Sequence, residues 1–92
     1  MNLFDDDDYM VSTPKDNFFS IIKSANQNIV EMEVTKIFER LAVAEKLLED
    51  NGLDKKYEQM VNTFAISDPQ EYDERLNSLF IETVGNIVTQ CE

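Results

Sequence analysis

The sequence has no histidine and no tryptophan, and it has one cysteine, two glycines and two prolines among its 92 residues. Histidine is the side chain most often used for proton transfer near neutral pH, so its absence removes the commonest general acid or base. No glycine-rich phosphate loop occurs, and paired carboxylates need a pocket that raises one pKa before they act as acid and base. We therefore expect that the protein is not an enzyme and needs no cofactor.

The lone cysteine, Cys91, excludes an intrachain disulfide and a cysteine-based metal cluster. A calcium loop is also excluded at residues 47–58, because Leu47 stands where an EF-hand needs aspartate, so we expect no metal site. A free thiol is typical of a reducing compartment. No secretory signal pattern and no run of about 18 apolar residues occurs. These features together predict a soluble protein of the cytoplasm.

Basic residues are scarce. Eight Lys and Arg stand against 19 Asp and Glu, which gives a formal net charge of −11. Proteins that bind nucleic acid or anionic lipid directly carry basic stripes, and here Lys55-Lys56 is the only adjacent basic pair. The charge therefore predicts no direct contact with nucleic acid or membrane, and it favours a basic protein partner.

Residues 1–12 are predicted to form an acidic, extended and mobile tail, because adjacent aspartates repel one another and are poor helix formers. One hypothesis makes this tail a docking motif, in which carboxylates attract a basic groove over a Debye length of about 8–10 Å and aromatic neighbours supply contact area. The alternative is a tail that only keeps the protein soluble. The candidate partner-binding residues are Phe4, Asp5, Asp6, Asp7, Asp8, Tyr9 and Met10.

Residues 13–92 are predicted to form one all-α domain, a small bundle of three to four helices. Alternating strand patterns of useful length are absent. Thr13-Pro14 is a helix start signal, since threonine can cap and proline fits the first turn. Two apolar seams follow that are one residue out of register, so a straight helix over 14–50 could not bury both. Two helices interrupted at Asn26-Gln27-Asn28 are favoured, and one long bent helix is the alternative. The second seam comprises Val30, Val34, Ile37, Leu41, Ala44 and Leu48.

Two further helices are predicted from their boundary residues. Asn51-Gly52-Leu53 is typical of a Schellman ending, and Asp54 is expected to cap the helix that follows. The last helix is expected from about Pro69 nearly to the end of the sequence, with either Ser67 and Gln70 or Asp68 and Glu71 forming a capping box.

The second predicted helix carries a broad apolar surface, which we expect to lie mainly in the core of the bundle. If part of it stays exposed, it would favour a partner or self-association. The candidate interface residues are Phe18, Phe19, Ile29, Phe38 and Leu47. The acidic exterior of the same helix is expected to comprise Glu31, Glu33, Glu39, Glu45 and Glu49.

These features suggest two functions. The favoured hypothesis is a small acidic regulator or inhibitor that docks on a basic partner, for example a nucleic-acid-processing protein whose binding channel it occupies by partial mimicry of nucleic acid. The alternative is a structural or assembly subunit, such as a small chaperone, that acts through helix–helix contacts and forms homo-oligomers.

Overall fold

The computed structural model describes residues 13–91, and within this range the chain forms four helices and no strand. The helices are α1 (Pro14–Ser24), α2 (Gln27–Asp50), α3 (Asp54–Ser67) and α4 (Pro69–Cys91). The prediction of an all-α bundle is confirmed, as is the prediction of two helices between residues 14 and 50. The acidic tail at residues 1–12 lies outside the described residues.

The helix starts follow from polar side chains that satisfy free backbone N–H groups. The Thr13 hydroxyl accepts a hydrogen bond from the Asp16 N–H at 3.1 Å, and the Asp16 carboxylate accepts one from the Thr13 N–H, which completes a capping box. Asn26 caps α2 by accepting from the Asn28 N–H at 2.9 Å. The interruption between α1 and α2 is thus narrower than predicted, because only Ala25 and Asn26 separate the two helices.

The turn between α2 and α3 has the predicted Schellman geometry. Gly52 has a φ of 68°, and its N–H donates to the Glu49 carbonyl at 3.0 Å. The Leu53 N–H donates to the Leu48 carbonyl at 2.8 Å. The prediction that Asp54 caps α3 is wrong: the cap position is Leu53, which makes no side-chain hydrogen bond, and Asp54 is already helical. The chain leaves the Schellman turn and enters α3 at once, so no residue is left between them to act as a polar cap.

Neither of the two capping boxes suggested by the sequence is complete at the start of α4, because the Asp68 N–H donates to the Phe64 carbonyl and not to Glu71, and only the Asp68 side chain acts as a cap. The Asp68 carboxylate accepts a hydrogen bond from the Glu71 N–H at 3.2 Å, and Pro69 is the first helical residue. The Ser67 hydroxyl instead donates to the Phe64 carbonyl. Gly85 lies within α4, and no neighbouring atom would come within 4 Å of an added Cβ. This glycine therefore serves no close helix contact among the described residues.

The core lies where α1, the start of α2 and the end of α4 meet. Ile87 is completely buried, and Phe18 and Val30 are 8% and 9% exposed. The Phe18 ring packs 5.3 Å from Phe80 of α4, and it meets Phe19 edge-on at 5.2 Å. This small cluster anchors one end of the bundle, because only these three apolar side chains are buried among residues 13–91.

The molecule is open in shape for its size. Its Cα atoms span 51 × 33 × 16 Å with a radius of gyration of 16.5 Å, whereas a compact chain of 92 residues has a radius of about 12 Å. The shortest dimension holds two helix layers at most, because packed helix axes lie about 8–10 Å apart. Most of the four described helices therefore have one face that no other described helix covers.

Candidate interaction surface

The middle of α2 is largely exposed. All thirteen residues from 35 to 47 are exposed, although the two ends of the helix are partly covered. The expectation that the apolar surface of this helix lies in the core is therefore wrong over these residues. The physical reason is the length of α2: the buried cluster covers its first turns, α3 returns near its last turn, and α4 lies beside only one side of its middle, across an open groove.

Exposed large apolar side chains also occur outside this stretch. Fourteen large apolar side chains of the described residues are exposed by 39% or more. Burying one side chain of this size removes on the order of 100 Å² from water, so the set presents on the order of 1,000 Å² of apolar area. The fourteen are Phe19, Met32, Ile37, Phe38, Leu41, Val43, Leu47, Leu53, Met60, Val61, Ile66, Leu79, Ile81 and Val88.

A groove of about 470 Å³ runs between α2 and α4. Its apolar lining comes from both helices, with Ile37 and Leu41 on α2 and Leu79 on α4. Its charged lining balances two bases against two acids, unlike the chain as a whole. We call it the α2–α4 groove, and its lining residues are Glu33, Lys36, Ile37, Arg40, Leu41, Ala44, Leu79, Glu82, Thr83 and Asn86.

Glu33 lies at one end of the α2–α4 groove and is 3% exposed, so its prediction as an exterior residue is wrong. Lys36 donates to its carboxylate at 2.9 Å, and the Gln90 side chain donates to the same oxygen from α4. These two hydrogen bonds stabilise the ionised form and hold the pKa of Glu33 below its ordinary value of 4.5. Glu33 thus joins α2 to α4 by a charged hydrogen bond. The helical period of 3.6 residues could have predicted that Glu33 is buried, because Glu33 follows the buried Val30 by three positions and so lies on the same face of α2.

A second concave area, at the corner between α2 and α3, is acidic. It has a volume of about 420 Å³, and four carboxylates and one amine line it together with two apolar residues. We call it the acidic corner, and its lining residues are Glu45, Leu48, Glu49, Asp54, Lys55, Tyr57 and Glu58. Its chemistry suits a cationic group rather than an anion.

The candidate interface residues fall into two sets. Phe18 is buried against Phe80 and Ile29 is half-buried, so both are covered within the chain. Phe19, Phe38 and Leu47 are exposed by 43%, 64% and 63%. The candidate residues of the tail, Phe4 to Met10, lie outside the described part of the chain. Sequence reasoning did not select Leu79, which only the folding of α4 against α2 brings beside Ile37 and Leu41.

Three other kinds of feature concern metal binding, membrane insertion and thiol chemistry. Among residues 13–91, no three Cys, Asp or Glu side chains are placed to share a metal ion. Within the same range, no helix is long and apolar enough to span a bilayer. The Cys91 thiol is exposed and free at the end of α4.

Comparison with known proteins gives a family but no function. Residues 10–92 match the model of a family described as a domain of unknown function, DUF2018. No curated protein and no solved structure shows significant similarity to the chain. The match covers all four helices, so the chain belongs to the DUF2018 family.

Proposed function

We propose that this protein is a non-enzymatic assembly subunit that acts through helix–helix contacts along the α2–α4 groove and the exposed middle of α2. The observation that carries this proposal is the stretch of thirteen exposed residues, 35–47, which contains Ile37, Phe38, Leu41, Val43 and Leu47. Isolated helices are marginal in water, and the stability of most helices in proteins comes from packing of an apolar face. A helix of this composition is therefore expected to have a partner.

The α2–α4 groove is a concave site into which a helix of a partner could bind. Docking of an amphipathic helix into an apolar groove is a common mode of protein recognition. The α2–α4 groove has apolar walls from two helices and charged residues of both signs, among them Arg40 and Glu82. An apolar centre with a polar rim is typical of protein interfaces.

Docking of an acidic surface on a basic partner is a second candidate function, and the acidic corner favours it. Four carboxylates and one amine line this corner, and the chain carries a net charge of −11. Such a surface attracts basic proteins over a Debye length of about 8 Å at physiological salt. In this hypothesis the protein regulates or inhibits a basic, nucleic-acid-binding partner, with residues 4–10 as an additional docking segment. It would act in the cytoplasm in either case.

Crosslinking in the native cell tests the proposed function. A photoreactive amino acid at Phe38, in the exposed middle of α2, is expected to crosslink to protein, and the same group at Ser20 on α1 is the control. Crosslinks would be identified by mass spectrometry and repeated with a chain lacking residues 1–10. Loss of crosslinks on tail deletion would favour the acidic docking hypothesis. Absence of crosslinks at Phe38 in the intact chain would contradict the assembly function.

A further inference from the structure

We propose that residues 1–12 of this chain fold back along α1 and dock, through Phe4, in a groove between α1 and α4. This contact uses a surface other than the α2–α4 groove, so it goes beyond the proposed function. Three observations support it: an apolar groove at the end of α1, the scarcity of acidic side chains around that groove, and the length of chain that precedes α1.

The groove lies beside the small core of the chain. Phe18 of α1 packs on Phe80 of α4, and further along both helices Ile21 shares the groove with Ile87, so α1 and α4 run in the same direction. The groove has a volume of about 320 Å³, which is space for on the order of ten waters and suits one aromatic side chain. We call it the α1–α4 groove, and its lining residues are Ile21, Ser24, Ala25, Ile87, Val88 and Cys91.

The surroundings of the α1–α4 groove carry little negative charge, unlike the rest of this acidic chain. Residues 17–30 contain one base, Lys23, and no acid, and residues 83–91 contain no charged side chain. Glu33, which contacts the end of α4, is already paired with Lys36. Lys23 makes no ion pair in the part of the chain that the structure describes. A segment with four adjacent aspartates therefore meets little repulsion here, and Lys23 attracts it.

The length of the N-terminal segment fits this position. An α-helix rises about 1.5 Å per residue, so Ser24 lies about 16 Å from Thr13 along α1. An extended chain advances about 3.3 Å per residue, so the stretch from Thr13 back to Phe4 spans about 30 Å. A reversal of direction takes about three of these residues, and the others then reach about 20 Å, which places Phe4 at the far end of the groove.

One face of α1 offers a path from Thr13 to the groove. Residues on this face are spaced by three and four positions, so they lie in line along the helix. Phe4 enters the apolar groove while the four aspartates that follow it lie alongside this face, near Lys23. The docked segment covers the open side of the core. The exposed polar residues of the path are Asn17, Ser20 and Ser24.

The native thiol of Cys91 reports this contact, because it lines the groove, is exposed and is the only thiol of the chain. A short linker gives an effective concentration on the order of 1 mM, so an intrinsic dissociation constant of about 0.1 mM keeps about nine-tenths of the chain docked. Deletion of residues 1–10 is therefore expected to raise the rate of Cys91 alkylation by iodoacetamide, a neutral reagent, about 10-fold. An unchanged rate would overturn the proposal.

Single substitutions in the full chain keep its charge and locate the contact. Phe4→Ala removes the aromatic anchor and is expected to raise the alkylation rate about 5-fold. Tyr9→Ala is the matched aromatic control and is expected to change the rate less than about 1.5-fold, because an extended chain from Thr13 to Tyr9 spans only about 13 Å before any reversal. Circular dichroism establishes that each variant is folded. Equal effects of the two substitutions would overturn the placement of Phe4 in the groove.

Charge reversal on the helices tests the electrostatic part of the contact. Lys23 and Lys55 are both exposed and make no ion pair among residues 13–91, but only Lys23 lies near the α1–α4 groove. Lys23→Glu is expected to raise the alkylation rate about 3-fold, and Lys55→Glu is expected to change it less than about 1.5-fold. A Lys23→Glu effect no larger than that of Lys55→Glu would contradict the position of the aspartates along α1.

A mixture of two chains tests whether the segment docks on its own chain. A chain lacking residues 1–10 is mixed at micromolar concentration with an equimolar full-length chain that carries Cys91→Ser. The remaining thiol should stay as reactive as in the truncated chain alone, because a contact of about 0.1 mM forms only when the segment is tethered. Slow alkylation in the mixture would show that the segment reaches across from another copy, and it would overturn docking on the same chain.

Discussion

Replacing Ile87 by alanine should remove a large share of the stability of this protein. Ile87 is the only completely buried large side chain of the described residues, and it lies in the small cluster with Phe18 and Val30. The substitution removes three carbon atoms, at about 0.8 kcal/mol each, and leaves a cavity that adds to the loss. We expect the free energy of unfolding to fall by about 3 kcal/mol. A protein of 92 residues has about 5–14 kcal/mol in total, so this loss is substantial.

Ile66 provides the matched control for this prediction. It also lies in a helix, α3, but its side chain is 82% exposed. Ile66→Ala brings the same change in helix propensity and is expected to alter stability by less than about 0.5 kcal/mol. Urea unfolding of both variants, followed by far-ultraviolet circular dichroism at one fixed protein concentration, gives the comparison. A difference between the two variants below about 1 kcal/mol would refute the location of the core.

Three further predictions concern single residues. Acidification should destabilise the protein as the pH falls from about 4.5 through the lowered pKa of Glu33. The reason is that protonation of Glu33 removes the charge to which Lys36 and Gln90 donate their hydrogen bonds. In Glu33→Gln, the thermal midpoint should be lower at pH 7 and should depend less on pH across this range. Gly52→Ala should cost about 1 kcal/mol in urea unfolding, because the φ of 68° disfavours a side chain, and an unchanged stability would contradict the Schellman turn. Gly85→Ala should instead stabilise by about 1 kcal/mol, since nothing lies within 4 Å of the added methyl group, and a loss would show that Gly85 is in close contact in solution.

Local signals predicted most of the fold. Thr13, Gly52 and Pro69 each act within one helical turn, so their effects can be derived from neighbours in the sequence. The phase shift between the two apolar seams predicted the break near Asn26 for the same reason. Asp54 shows the limit of such signals. The Schellman turn that ends α2 and the cap expected for α3 involve neighbouring residues, and the turn determined where α3 begins.

The distribution of exposure could not be predicted from the sequence. Apolar residues with helical spacing indicate which face is to be covered, but not whether the same chain covers it. Val30 and Leu41 belong to one seam, yet Val30 is 9% exposed and Leu41 is 39% exposed. The difference arises because the end of α4 packs on the start of α2, where Gln90 contacts Glu33, whereas α4 is separated from Leu41 by an open groove. The helical spacing from Val30 could have placed Glu33 on the covered face, but its partner Gln90, 57 residues away, could not be derived from the sequence.

The exposed stretch of α2 has a consequence for turnover in the cell. Residues 35–47 include Lys36, Arg40 and Lys46, three of the eight basic residues of the chain, so trypsin-like enzymes find cleavage sites where the helix is least protected. Proteolysis follows the population of open forms, and covering the stretch lowers that population. Any contact that covers residues 35–47 would therefore slow the degradation of this protein.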